Sequence, residues 1–236
     1  MANKFYNNLI SHWLMNDDLA TTAVLDSKGS NDGTLEGGNN TEDISVAGKI
    51  NKALDFDGTD DYINCGNNAS LDITDVITLS VWLKWDGAVN GWNDYRVLIY
   101  GTDTYRIFGG SVSAGKIHMS IWGSGETWIN TPASTTRVDD GEWHHIVGTS
   151  DGTTLCLYVD GVLEASIESG TINNLIGNVY IGARATGTSG WNGKIDDVRI
   201  YNTALTPYYV KLLYNNGAGT EDENIQSNTL LLGCNF

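Results

Sequence analysis

The sequence predicts one all-β sandwich of two antiparallel sheets, with a single short helix near its C-terminal end. Three observations carry this. Period-two hydrophobicity recurs along the chain with almost no helical period. Asp-Gly and Asn-Gly pairs punctuate it, and they supply the positive φ of tight hairpins. The composition holds 28 Gly but only 2 Pro, as many short strands joined by turns require. A chain of 236 residues can bury one large core without covalent staples.

Ile77, Leu79, Val81, Leu83 and Trp85 fall on one face of a strand spanning 77–85. Further strands are expected over 9–15, 53–57, 61–65, 95–101, 104–108, 116–122, 126–130, 143–149, 153–160, 162–167, 178–183 and 194–201. Asp160-Gly161, between Tyr158-Val159 and Val162-Leu163, marks the clearest hairpin. The helix is expected over 207–214: Thr206 caps it, Pro207 suits its first turn and Asn215-Asn216-Gly217 stops it. The domain therefore covers residues 1–217, followed by a tail, 218–236. The tail runs from the acidic Glu221-Asp222-Glu223 to an apolar end with Leu230, Leu231, Leu232 and Phe236. Residues 228–236 are expected to add as a strand or clamp to their own sheet or to a neighbouring subunit.

Thirteen basic and 29 acidic side chains give a net charge of -16. That balance opposes binding to a phosphate backbone or an anionic bilayer, and no run is long enough to span a membrane. Neither nucleic acid nor membrane insertion is expected. Cys65, Cys156 and Cys234 fit neither a disulfide framework nor a zinc pattern, and Cys156 reads as an inert core residue. Met1-Ala2-Asn3-Lys4-Phe5 begins no signal peptide. An extracellular or virion-surface location is expected, reached within a longer secreted protein or by another route.

Three stretches resemble a known family. They are Gly48 to Ile63, containing Ala53-Leu54-Asp55-Phe56-Asp57-Gly58; Asp140 to Thr149, containing Gly141-Glu142-Trp143-His144-His145 and running on to Leu157-Tyr158-Val159-Asp160-Gly161; and Gly193 to Asn202, containing Lys194-Ile195-Asp196-Asp197-Val198-Arg199-Ile200-Tyr201. In order and spacing the chain, over about residues 5 to 217, resembles the laminin-G-like, concanavalin A-like jelly-roll modules of secreted bacterial and viral proteins. The resemblance implies a jelly-roll sandwich. It also implies a role among glycan-binding appendages, adhesion domains, virion surface proteins and glycan-cleaving enzymes. It places Trp13, Tyr62, Trp82, Trp143 and Trp191 in the core, and gives His144 and His145 structural roles. As adjacent strand residues, these two histidines point to opposite faces.

No strand carries the closely spaced carboxylates of a retaining glycosidase, and the lyase, Gly-x-Ser-x-Gly and His-Glu-x-x-His signatures are missing. No enzyme is expected. The loop holding Asp26, Ser27, Gly29, Asn31 and Gly33 is rich in oxygen donors, and pairing of the first and last strands would bring it near Asp196 and Asp197. Hard oxygens of this kind suit Ca²⁺, and similar modules hold a structural Ca²⁺ here; ordinary Asx-turn capping is the other reading. Asp57, Asp60 and Asp61 read as turn residues. Exposed rings beside amides stack on sugars and also build protein interfaces, which makes Trp85, Trp92, Asn93, Tyr95, Tyr105, Trp122 and Trp128 the candidate ligand residues. The sequence thus reads as a non-catalytic module recognising carbohydrate or a cell-surface polymer. The alternative is a virion surface or decoration protein docking on neighbouring protein subunits, with a glycan-cleaving enzyme third.

Overall fold

A computed structural model describes residues 7–87, 96–110, 113–173, 177–184 and 189–222. Among them the strands are β1 (Leu9–Trp13), β2 (Ala23–Val24), β3 (Gly33–Glu36), β4 (Ser45–Ala47), β5 (Lys52–Asp57), β6 (Tyr62–Asn64), β7 (Ile77–Trp85), β8 (Arg96–Gly101), β9 (Tyr105–Gly110), β10 (Ser113–Gly123), β11 (Thr127–Asn130), β12 (Trp143–Ser150), β13 (Thr154–Val159), β14 (Val162–Glu168), β15 (Val179–Ile181) and β16 (Asn192–Tyr201). The helices are α1 (Thr41–Ile44) and α2 (Pro207–Tyr214). No helix among the described residues is long and apolar enough to cross a membrane.

Two antiparallel sheets face each other. Sheet I has the order β14-β13-β12-β7-β16-β5-β4, with β1 also paired to β16. Sheet II has the order β11-β10-β9-β8-β15-β6-β3-β2. The core between them is built from alternate residues of each strand, Leu79, Val81 and Leu83 from β7 against Ile107, Ile117, Met119 and Ile121 from β9 and β10. The predicted hairpin is present, with Val159 opposite Val162 and positive φ at Asp160 (51°) and Gly161 (76°). A type I′ turn, with two left-handed residues, is one of the two turn types whose twist matches that of the strands over so short a connection.

The first and last strands pair, as the jelly-roll topology predicts, and a buried ion cluster secures them. His12 Nε2 lies 2.6 Å from Asp197 Oδ1, and the Arg199 guanidinium donates to the same oxygen from Nε (3.1 Å) and Nη2 (2.9 Å). Asp197 sits in a bulge of β16 at φ 48°, so Asp196 and Asp197 lie within the strand rather than at its start. Burial pushes the Asp197 carboxyl up, but Arg199 and then His12 outweigh it and hold the acid at about 2.

The outer face of sheet I is covered by α2. Val210 and Leu213 pack with Leu9, Val147, Tyr158, Tyr201 and Leu205. Each fully buried side chain of this size contributes roughly 2 kcal/mol. Thr206 occupies the N-cap position without a side-chain capping bond, and Asn215 ends the helix at a left-handed φ of 47°. Residues 218–222 also dock on sheet I: Glu221 accepts from Asn16 Nδ2 and Asn51 Nδ2, both at 2.8 Å, and Arg199 donates to the Thr220 carbonyl. The expected strand at 228–236 lies outside the described residues.

Four assignments change on inspection of burial. Cys156 and Trp143 are half-buried rather than core, because Cys156 faces the α2 side of sheet I and Trp143 opens β12 directly after the exposed turn at 140–142. Tyr62 is half-buried on the outer face of sheet II. Trp85, by contrast, is buried in the core and packs edge-on against Trp191 at 5.3 Å.

His144 and His145 do point to opposite sides. His144 meets Asp160 through Nδ1 (2.8 Å) and Asp140 through Nε2 (3.2 Å). Burial lowers its pKa, but the two carboxylates outweigh this and leave it raised. His145 is fully buried between Trp82 and Tyr214, with Nε2 2.9 Å from Ser80 Oγ, and burial pulls it down to about 4. An unfolded histidine near its ordinary 6.5 takes up a proton that the folded one refuses. The stability due to neutral His145 is therefore present above pH 6.5 and lost as pH falls toward 4, by about 3 kcal/mol. Thermal melts of His145→Gln from pH 7 to pH 4 should show a shallower fall in midpoint than wild type; parallel curves would refute the assignment.

Candidate ligand-binding face

The outer face of sheet II has no covering helix among the described residues, and strand alternation decides what it displays. Tyr105 and Ile107 of β9 point into the sandwich, so Arg106 and Phe108 point out. Ile117, Met119 and Ile121 of β10 point in, so Lys116, His118, Ser120 and Trp122 point out. Register then sets the neighbours: His118 opposite Phe108, Ser120 opposite Arg106 and Asn130, and Trp122 opposite Trp128 on β11.

The result is a contiguous aromatic and polar platform. Trp122 and Trp128 are half-buried and meet edge to face at 5.4 Å. The Arg106 guanidinium lies 3.7 Å from the Trp128 ring centre and 4.5 Å from that of Phe108. Phe108 in turn stacks on His118 at 5.1 Å. Asn130 Oδ1 accepts from Ser120 Oγ at 2.5 Å and from Arg106 Nη2 at 3.4 Å. His118 Nδ1 lies 3.0 Å from the Thr131 carbonyl, which can only accept, so Nδ1 carries the proton. Its Nε2 is buried without a hydrogen-bond partner among the described residues. The platform continues toward β15 and β6 through Tyr100, Tyr180 and Tyr62, with Arg184 over Tyr100 at 5.4 Å.

Of the candidate ligand residues, Trp122 and Trp128 are brought together on this face. Tyr105 is not: it is 1 % exposed, faces the core, and its hydroxyl donates to the Leu71 carbonyl at 3.1 Å. Trp92, Asn93 and Tyr95 lie outside the described residues. Arg106, Phe108, His118, Ser120 and Asn130 were not singled out in the sequence. The signal available was the short 122–128 hairpin, whose register places Ser120 opposite Asn130.

The expected metal residues fall into two groups on either side of His12. Asp26 accepts from the backbone N–H of His12, Lys28 and Gly29 through Oδ1 and of Asn31 through Oδ2, which is the turn-capping arrangement. Ser27 donates to the His12 carbonyl, and Asn31 donates to Ser11 and Ser70. Gly29 and Gly33 sit where an added Cβ would meet Asp26 and Ile63. Across β1, Asp197 binds His12 and Arg199, while Asp196 accepts from the Ile50 N–H at 2.9 Å. Burial drives Asp196 up to about 8, and its Oδ1, like Asp197 Oδ2, is buried with no hydrogen-bond partner among the described residues. The Asp26 half is fully engaged by amides, and Asp197 already pairs with the Arg199 guanidinium. Among the described residues, only Asp57, Asp60 and Asp61 bring three such ligand atoms within 4.8 Å of one another. Asp57 also caps the 57–60 turn, and Asp61 holds Asn39.

The fold belongs to a known class. The chain is a member of the Concanavalin A-like lectin/glucanases superfamily, whose Laminin_G_3 model matches residues 57–211. In an alignment of 166 positions that covers 63% of the chain, it is 29% identical to Adhesion G-protein coupled receptor V1 of Danio rerio, of which it spans 2%. Among solved structures, the binding domain of Paraclostridial Mosquitocidal Protein 1 superposes with a TM-score of 0.72 at 17% identity, covering 91% of this chain and 53% of that one. Domain 4 of AbnA, an extracellular arabinanase of Geobacillus stearothermophilus solved with arabinotriose, superposes with a TM-score of 0.64 at 23% identity, covering 86% and 97%.

The two faces of β9 and β10 predict opposite mutational outcomes. Tyr105→Ala should cost about 3–5 kcal/mol by opening the core. Trp122→Ala should cost about 1 kcal/mol or less. Denaturant melts of both variants check this, and comparable losses would contradict the assignment of Trp122 to an open face.

Proposed function

We propose that this chain is a non-catalytic, extracellular binding module that recognises carbohydrate through the outer face of β8–β11. The observation that carries the reading is the half-exposed Trp122–Trp128 pair beside Arg106, Ser120 and Asn130. Indole rings stack on the C–H faces of sugars, and flanking amide, hydroxyl and guanidinium groups orient the hydroxyls. AbnA domain 4, of the same fold, was solved with arabinotriose, which supports this reading. Glycoside hydrolysis needs two carboxyl groups flanking the scissile bond, and β8–β11 contain no Asp or Glu. That favours binding without cleavage.

Docking on a protein lattice is the second reading. Its support is the edge strand β14, which exposes Val162 (59 %), Leu163 (49 %) and Ile167 (39 %). A structural Ca²⁺ belongs to the proposal as an accessory. The residues that would hold it are Asp196 and Asp197, through their unpartnered oxygens.

A glycan-array screen of the full chain, in millimolar Ca²⁺ and in EDTA, tests the reading. Binding is expected, and Trp128→Ala should weaken it at least tenfold while the fold persists. Absence of binding to any glycan in both conditions would overturn the carbohydrate assignment. A melting midpoint unchanged by EDTA would remove the Ca²⁺.

A further inference from the structure

The charge pattern of the same face indicates which class of glycan it takes. The chain carries -16 overall, with 29 acidic side chains. Yet β8, β9, β10 and β11 together contain Arg96, Arg106 and Lys116 and no Asp or Glu. Alternation places Arg106 and Lys116 on the outer face with the hydrogen-bonding His118, Ser120 and Asn130. Lys116 is half-buried and forms no ion pair with any described residue. Arg184, exposed, adds a further cation over Tyr100 at the adjoining edge.

An acidic protein that keeps carboxylates off four consecutive strands, and lays two cations across them, has a local field opposite in sign to its bulk. Such cations attract an anion, and the carboxylates adjoining the face, Asp103 at the Tyr100 hydroxyl and Glu126 in the β10–β11 turn, lie outside the strands themselves. The Arg106 guanidinium packs against the rings of both Phe108 and Trp128 and is largely buried, so its freedom is already restricted before a ligand arrives. A uniformly acidic surface would meet a neutral sugar equally well, so the cations are selective for charge.

We propose that the β8–β11 face recognises an acidic glycan, one bearing carboxylate or sulfate groups, with Arg106 and Lys116 meeting the anionic groups while Trp122 and Trp128 stack on the sugar rings. The proposal rests on the carbohydrate reading above and narrows its ligand class.

The test is titration calorimetry of the full chain with three oligosaccharide sets matched in length: neutral, uronate-bearing and sulfate-bearing. One or both acidic sets should bind at least tenfold more tightly than the neutral set. Their affinity should drop at least fivefold from 50 to 300 mM NaCl. Lys116→Gln, a surface change, should weaken acidic binding at least threefold. Arg106→Met should weaken it further, with a melt confirming that the variant folds. Neutral sugars binding as well as acidic ones, with Trp128→Ala disrupting both, would overturn the acidic class and leave the carbohydrate reading standing. Failure of all three sets would overturn both. A comparison of the uronate and sulfate sets identifies which anion is recognised.

Discussion

The structure depends on a charged cluster sealed from water where β1 meets β16. Asp197, Arg199 and His12 are all fully buried, and the carboxylate oxygen that joins them is 2.6 to 3.1 Å from each partner. Removing Asp197 would strand the buried Arg199 as an uncompensated charge in a low-dielectric interior, at a cost of about 3–5 kcal/mol. The cluster therefore tolerates only one register of β1 on β16. That register carries Trp13 into the core and leaves Leu9 beneath α2. The left-handed residue at the bulge makes it possible, because it turns two successive acidic side chains out of strict alternation.

From that anchor the two sheets take different roles. Sheet I is packed on both sides, with α2 and residues 218–222 lying over its outer surface and Tyr214 stacked on Trp82 at 5.8 Å. Its polar groups are accordingly structural. The adjacent His144 and His145 show how sharply the environment changes within one residue: carboxylates keep the first protonated more readily, and the packed interior keeps the second neutral. Sheet II carries its own apolar cluster of Val97, Tyr100 and Phe108 on the side away from the core. A sheet face that is aromatic without a covering helix is where recognition can be built.

Much of the fold was legible because one face of each long strand must be apolar. Ile77–Trp85 alternates cleanly, and the turn dipeptide at Asp160-Gly161 fixed its hairpin. The strands that escaped notice, β2, β3 and β4, have 2, 4 and 3 residues, too few to show a period. Tyr105 was misassigned for a related reason. In Tyr105-Arg106-Ile107-Phe108 both faces carry an aromatic, so composition gives no indication of which side is inside. Trp122 and Trp128 stood out as rings beside a polar turn. Their partners Arg106 and Asn130 are ordinary residues until strand register sets them side by side.

The docking of residues 218–222 has a topological consequence. β1 and this segment both lie on sheet I, and Asn16, just past the end of β1, hydrogen-bonds Glu221, so the first strand and the last described segment are held on the same sheet. A carrier attached along this segment would hold the domain from behind sheet I. Sheet II would then be presented outward like the head of a stamp, with its backing fixed to whatever carries it.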